Sequence, residues 1–139
     1  MEKNKIDRAG LLKQATLARE LSYSPYSGVS VGAALLTGSG KVYLGANIEN
    51  AAYSPSVCAE RVAIFKAVSE GEREFRAIAV SGGRHGEKST DKFAPCGVCR
   101  QVMREFCDDS FEIILEYEGG EAYYTLGELL PESFGKGKL

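Results

Sequence analysis

The chain has 139 residues, of which 44% are hydrophobic and 26% charged; that is enough for one domain with its own core, and it excludes disordered and fibrous chains. The formal net charge is −2 and the pI is about 5.5, with Lys and Arg dispersed, so the basic footprint of a nucleic-acid binder is missing. Met1 to Arg8 is polar and no apolar run approaches membrane-spanning length, which predicts a soluble, cytoplasmic protein with neither nucleic acid nor membrane as partner.

Ile6, Leu11, Leu12, Ala15, Leu17, Ala18 and Leu21 recur at helical spacing and stop before Pro25-Tyr26-Ser27-Gly28, which predicts an opening amphipathic helix. Val29 to Leu36 and Lys41 to Ala46 read as strands, joined by the hairpin chemistry of Thr37-Gly38-Ser39-Gly40. Pro55 and Ser56 announce a helix from Cys58 that ends at Gly71. Phe75 to Val80 is expected as a buried strand, and Ser81 to Phe93 as a Gly- and charge-rich loop. Pro95 is expected to open a second helix running to about Phe106. Strands at Phe111 to Glu116 and Ala122 to Tyr124 and a short helix at Leu126 to Leu130 complete the chain. The order predicts an α/β fold, a three-layer α/β/α sandwich around a mixed five-stranded sheet. No repeat or interdomain linker is visible.

The chemistry lies in Cys58-Ala59-Glu60 and Pro95-Cys96-Gly97-Val98-Cys99. Alone, the pair Cys96 and Cys99 reads as a structural zinc knuckle or a redox pair about as often as not. With Cys58 it supplies three thiolates for one Zn²⁺, and a site with three protein ligands keeps its fourth position for water or substrate. Cys107 lies eight residues past Cys99, roughly 12 Å along a helix, and is expected to be a buried apolar residue. His85, the single histidine, sits in a polar stretch and is expected at the surface. Both clusters fall at predicted helix starts, where free N–H groups and the helix dipole favour thiolates. Three thiolates on Zn²⁺ leave a formal negative charge, which the neighbouring Arg61 can offset; the metal can then bring its water toward a pKa of about 7. Glu60 is left for acid–base work, worth roughly 10² to 10⁴ in rate. A Cys or His, Glu two residues on, and later P-C-x-x-C is the pattern of zinc nucleobase deaminases.

Along nearly its whole length the chain resembles the small homotetrameric cytidine deaminases. The matching stretches are Tyr23-Ser24-Pro25-Tyr26-Ser27, Val31-Gly32-Ala33-Ala34-Leu35-Leu36, Asn47-Ile48-Glu49-Asn50-Ala51-Ala52-Tyr53, Cys58-Ala59-Glu60-Arg61, Pro95 to Val102 and Glu128-Leu129-Leu130-Pro131. The resemblance implies one catalytic domain over residues 1–139, one zinc per subunit, and hydrolytic deamination of cytidine and 2′-deoxycytidine in pyrimidine salvage. It implies that Asn47 and Glu49 bind the ribose hydroxyls, that Glu60 shuttles protons, and that Arg61 hydrogen-bonds the thiolates. Ala59 and position 29 would contact the substrate. Ala51, Tyr53 and Phe134 are similar to residues that complete a neighbouring subunit's pocket, so a homotetramer with shared sites is expected. Without the resemblance, Asn47 and Glu49 read as loop polars, Arg61 as an exposed helix residue and Phe134 as an anchor of the C-terminal tail.

One position departs from that pattern: the family usually has Phe where this chain has Val29. Blasticidin S deaminases are similar at that point, with a small aliphatic residue there, but usually lack the Asn-Ile-Glu-Asn stretch present at 47–50. A deaminase of another aminopyrimidine nucleoside such as blasticidin S is therefore the alternative. An editing deaminase on RNA or DNA is disfavoured by the acidic charge, and a zinc-stabilised binding module is the reading without turnover.

Overall fold

Period-two alternation along the inner strands decides the layering of the molecule, seen in a computed structural model that describes residues 5–89 and 91–139. The polar start at Met1 to Asn4 and one position of the expected loop, Thr90, lie outside the described residues. Strands β1 (Val29–Thr37), β2 (Val42–Ala46), β3 (Phe75–Arg84), β4 (Glu112–Tyr117) and β5 (Gly120–Thr125) form a sheet in the order β2-β1-β3-β4-β5. β3 and β4 are parallel and the other neighbours antiparallel, so the sheet is mixed as expected. The helices are α1 (Arg8–Ala18), α2 (Ala59–Ser69), α3 (Gly97–Phe106) and the short α4 (Leu126–Leu129).

Ala33, Leu35, Ile78, Val80, Ile113 and Leu115 turn to one face, against Ala63 and Ile64 of α2 and Met103 of α3. Their sequence neighbours Ala34, Ala77, Ala79 and Ile114 turn to the other, against Leu11, Leu12 and Ala15 of α1. That alternation yields the three-layer α/β/α sandwich. The α2/α3 face carries the large side chains, each contributing about 1.5 to 3 kcal/mol when fully buried. The α1 face has Ala34, Ala77 and Ala79 opposite Ala15, which lets backbones approach closely there; Leu17 and Leu21 of the expected apolar stripe are exposed instead, because the buried side of α1 is already filled by Leu11, Leu12, Ala15 and Ala18. A Cβ on Gly32 of β1 would stand 2.0 Å from the carbonyl oxygen of Ala15. Gly45 of β2 does the same on the opposite face, where a Cβ would lie 2.4 Å from the carbonyl oxygen of Ala59 and 2.6 Å from the nitrogen of Ala63. The first turn of α2 therefore rests directly on β2.

β5 is longer than expected, Gly120–Thr125 in place of Ala122 to Tyr124, and two further boundaries that differ from expectation bear on the site. β3 continues through Ser81, Gly82, Gly83 and Arg84, which pair with Gly32, Val31, Ser30 and Val29. Glycines disfavour a strand locally, but β1 offers an unpaired edge at that register, and the ladder wins. The second metal-bearing helix begins at Gly97 rather than Pro95, because Cys96 keeps an extended backbone as its N-cap.

Candidate metal and substrate site

α2 and α3 both start from a cysteine. Cys58 and Cys96 are the N-cap residues, with φ −77°, ψ 156° and φ −69°, ψ 170°, and neither thiol makes a capping hydrogen bond. Their carbonyls accept the first helical bonds, from Val62 at 3.2 Å and Arg100 at 2.9 Å. Both thiols thus sit at the positive ends of helices. Cys99, one turn into α3, is fully buried. The Sγ atoms of Cys58 and Cys96 are 3.8 Å apart, and those of Cys96 and Cys99 3.6 Å. A tetrahedral zinc with Zn–S of about 2.3 Å requires edges of about 3.8 Å, so the spacing fits the metal. All three sulfurs lie within 4.8 Å of one another, and no fourth cysteine, histidine or carboxylate joins them among the described residues. His85 is exposed. Cys107 caps the far end of α3 against the core, where burial pushes its thiol up to about 12.

The electrostatics follow from crowding three acidic thiols. Cys58 is drawn down to about 5, first by the hydrogen bond from Cys99 and, against the cost of burial, by Arg61. Arg61 places Nη2 3.6 Å from the Cys58 sulfur. Cys99 is driven well above the ordinary thiol range, first by its hydrogen bond to Cys58 and then by burial. One thiol is lowered and its neighbour raised because two such groups packed together resist being charged at once. Full ionisation of the set calls for a cation, which is the donor chemistry of a zinc site.

Cys58 and Cys96 open into a cavity of about 380 Å³, within the range of small-molecule sites. Its lining includes Cys58, Ala59, Glu60, Arg61 and Cys96 together with Asn47 and Glu49, so seven of the expected site residues converge there. Glu60 is 4% exposed. Burial, and secondarily the charge on Cys58, push its carboxyl up to about 7. It can therefore both hold and release a proton near neutral pH.

Glu49 and Asn47 stand at the other end, each nearly saturated. Oε1 of Glu49 accepts from the N–H groups of Tyr26 at 2.9 Å and Ser27 at 3.1 Å, and Oε2 accepts from the Ser27 hydroxyl. The Ser27 hydroxyl is the main reason that this carboxyl lies below its ordinary range. Asn47 donates from Nδ2 to the Val29 carbonyl at 2.9 Å, and its Oδ1 accepts from Ser22 Oγ at 2.6 Å and Val31 N–H at 2.9 Å. An amide side chain has two donors and two acceptor positions, so Asn47 keeps one N–H free. It also extends the β1 ladder just past the last backbone pair with β2, Gly32 and Ala46. Sequence reasoning missed this clamp.

The remaining expected residues lie elsewhere. Residues 49–56 form an excursion closed by the bridge between Ile48 and Val57. Tyr53, at φ 66°, lines a second cavity of about 390 Å³ with Tyr26, Ser27 and Asn50, adjoining the first through Glu49 and Ser56. Ala51 is exposed on the same excursion. Phe134 is 58% exposed on the C-terminal tail, where its carbonyl accepts from Gln101 Nε2 at 2.9 Å. Val29, Ala51 and Phe134 line neither cavity. The structure instead adds Val31, Ser56, Val57, Phe93 and Ala94 to the wall. Of these, Phe93 had a visible signal, an aromatic residue in a polar stretch just before Pro95-Cys96.

A carboxyl buried beside a three-thiol metal site, on an α/β/α sandwich, describes a metal-dependent hydrolase. The family model for the cytidine and deoxycytidylate deaminase zinc-binding region matches residues 6–114, and the chain belongs to that family. The cytidine deaminase of Sporosarcina psychrophila is 47% identical over 135 residues, covering 96% of each chain. That of Halalkalibacterium halodurans is 48% identical over 130 residues, covering 93% of this chain and 95% of the relative. The crystal structure of cytidine deaminase from Burkholderia pseudomallei superposes with a TM-score of 0.84 at 45% identity, covering 93% of this chain and 100% of that one.

Proposed function

We propose that this hydrolytic deaminase converts cytidine and 2′-deoxycytidine, with water, to uridine and 2′-deoxyuridine and ammonia, in pyrimidine salvage. The observation that carries the reading is the convergence in one cavity of the buried Glu60 carboxyl, the thiols of Cys58 and Cys96, and the hydrogen-bonded pair Asn47 and Glu49. Cys58, Cys96 and Cys99 hold one zinc ion, with Arg61 beside Cys58 easing the accumulated negative charge. When bound, zinc supplies Lewis-acid activation of a water molecule as nucleophile toward C4 of the pyrimidine.

Glu60 manages the protons. It delivers one to N3 as water adds at C4, then carries the water's second proton to the amino group, so that ammonia leaves and a C4 carbonyl remains. A carboxyl poised near 7 is matched to both transfers. The free N–H of Asn47 and the remaining acceptor position on Glu49 take the ribose hydroxyls. Arg61 is the sole cation among the described lining residues and is committed to Cys58, while Glu49 places a negative charge at the ribose end. This favours a neutral nucleoside over a 5′-phosphorylated one.

Residues 1–139 act as one catalytic domain. The exposed Tyr53 and Phe134, with Ala51, support a homotetramer in which these side chains complete a neighbour's pocket. A cytoplasmic location accords with the free thiols of Cys58, Cys96, Cys99 and Cys107; among the described residues no helix is long and apolar enough to cross a membrane. The test is ammonia release from cytidine, 2′-deoxycytidine, deoxycytidylate and blasticidin S by zinc-loaded protein. The nucleosides should lead in kcat/KM. Preference for blasticidin S, to which Val29 lends weight, would reassign the substrate, and no release from any of them would leave a zinc-stabilised binding module.

A further inference from the structure

Val31, which lines the cavity, is paired across the sheet with Gly82 of β3. Side chains opposite one another in a ladder share a face, so the missing side chain of Gly82 leaves a slot beside Val31. The Phe93 ring fills it. A Cβ on Gly82 would stand 2.6 Å from Cγ, 2.8 Å from Cδ2 and 3.1 Å from Cδ1 of that ring. Phe93 is half-buried against the core cluster and is the one aromatic residue lining the cavity among the described residues. Its chain neighbours hold it in place. Lys92 donates from Nζ to the Tyr124 hydroxyl at 2.7 Å and lies 4.9 Å from the Tyr117 ring centroid and 5.4 Å from that of Tyr124. On the other side Pro95 is fully buried. The ring is thus fixed before any ligand arrives, at the wall of the cavity that also holds Glu60.

We propose that Phe93 is a specificity-determining residue, a preformed aromatic wall against which a planar pyrimidine packs. This rests on the deaminase reading above. Aromatic rings gain from offset or edge contact beyond area burial, whereas a saturated ring offers only burial. Phe93 touches the base and takes no part in proton transfer, so its removal affects binding common to ground and transition state.

The test compares wild type, Phe93→Leu and Phe93→Tyr as zinc-loaded proteins. The readouts are zinc content, kcat and KM for cytidine, and the inhibition constant of a ribonucleoside whose six-membered ring is saturated. Phe93→Leu is expected to keep one zinc per chain, to leave kcat within about two-fold, and to raise KM for cytidine roughly five- to twenty-fold. The saturated analogue should weaken at least about three-fold less than cytidine, and Phe93→Tyr should retain the wild-type KM. An active wild type with KM unchanged in Phe93→Leu, equal weakening of both ligands, or zinc lost from Phe93→Leu with KM unchanged in the zinc-replete fraction, would overturn the aromatic wall. A zinc-loaded wild type that releases no ammonia from cytidine would instead sink the deaminase reading, and this inference with it.

Discussion

Replacing Glu60 by Gln should slow turnover and stabilise the metal-free protein at the same time. The amide keeps shape but cannot carry a proton, so kcat should fall roughly 10²- to 10⁴-fold. The stability effect comes from burial. The folded carboxyl titrates near 7 instead of its ordinary 4.5, so between those values the native state binds more protons than the unfolded one. Stability then falls as pH rises through that window, and the wild type is penalised most above pH 7. At about 1.4 kcal/mol per pH unit, the advantage of Glu60→Gln over wild type should grow by about 2 to 3 kcal/mol between pH 5 and pH 8. Urea unfolding of reduced, chelator-treated protein at the two pH values measures it, since the thiols are common to both proteins. An advantage that is the same at both pH values would refute the buried, proton-holding carboxyl, and a near-normal kcat would refute the shuttle.

Glu49→Gln preserves acceptance from Tyr26 and Ser27 while removing the charge; affinity for cytidine relative to free cytosine should drop by about 1 to 3 kcal/mol, and an unchanged ratio would place the ribose elsewhere. Cys96→Ala should abolish stoichiometric zinc by elemental analysis, whereas Cys107→Ala should retain it, because Cys107 lies outside the thiol cluster. Gly45→Ala forces a methyl against the Ala59 carbonyl; a loss of about 1 to 3 kcal/mol and weaker zinc binding are expected, and unaltered zinc affinity would mean that α2 is not seated by this contact. Mixing Phe134→Ala with Cys96→Ala subunits should give more activity than the two parents together if pockets are shared. No gain despite confirmed subunit exchange would confine Phe134 to its own chain.

The parts legible in the sequence were those written in local pattern. The thiol triad, Glu60 and the order of helices and strands could be read because ligand spacing and period-two alternation are properties of short segments. The extension of β3 through Gly82 and Gly83 could not, since what stabilises it is β1, some fifty residues away. The same cause hid Phe93, whose seat exists only after Gly82 is paired with Val31. Asn47 was legible as a polar residue after a strand but not as a clamp, because its partners Ser22, Val29 and Val31 come together only when the hairpin closes. The helix expected from Pro95 opens only at Gly97, because Cys96 is its N-cap and keeps the extended backbone of that position, which sequence pattern does not resolve to the residue.

The two cysteine-started helices make the three sulfur donors unequal witnesses of folding. Cys96 and Cys99 are neighbours in the chain, and an unfolded polypeptide can still offer that pair to a metal. Cys58 joins them only when α2 is seated on β2 and α3 has been carried across by β3. The native protein's advantage over its denatured ensemble in capturing zinc therefore resides in one residue. A ligand that binds only the native state stabilises it by about 4 kcal/mol at a thousand-fold excess over its dissociation constant, and competition from the unfolded chain reduces that gain. Resistance to proteolysis should accordingly track occupancy of the Cys58 position, so that in a zinc-poor medium the lifetime of the chain, and not only its catalytic rate, becomes a function of metal supply.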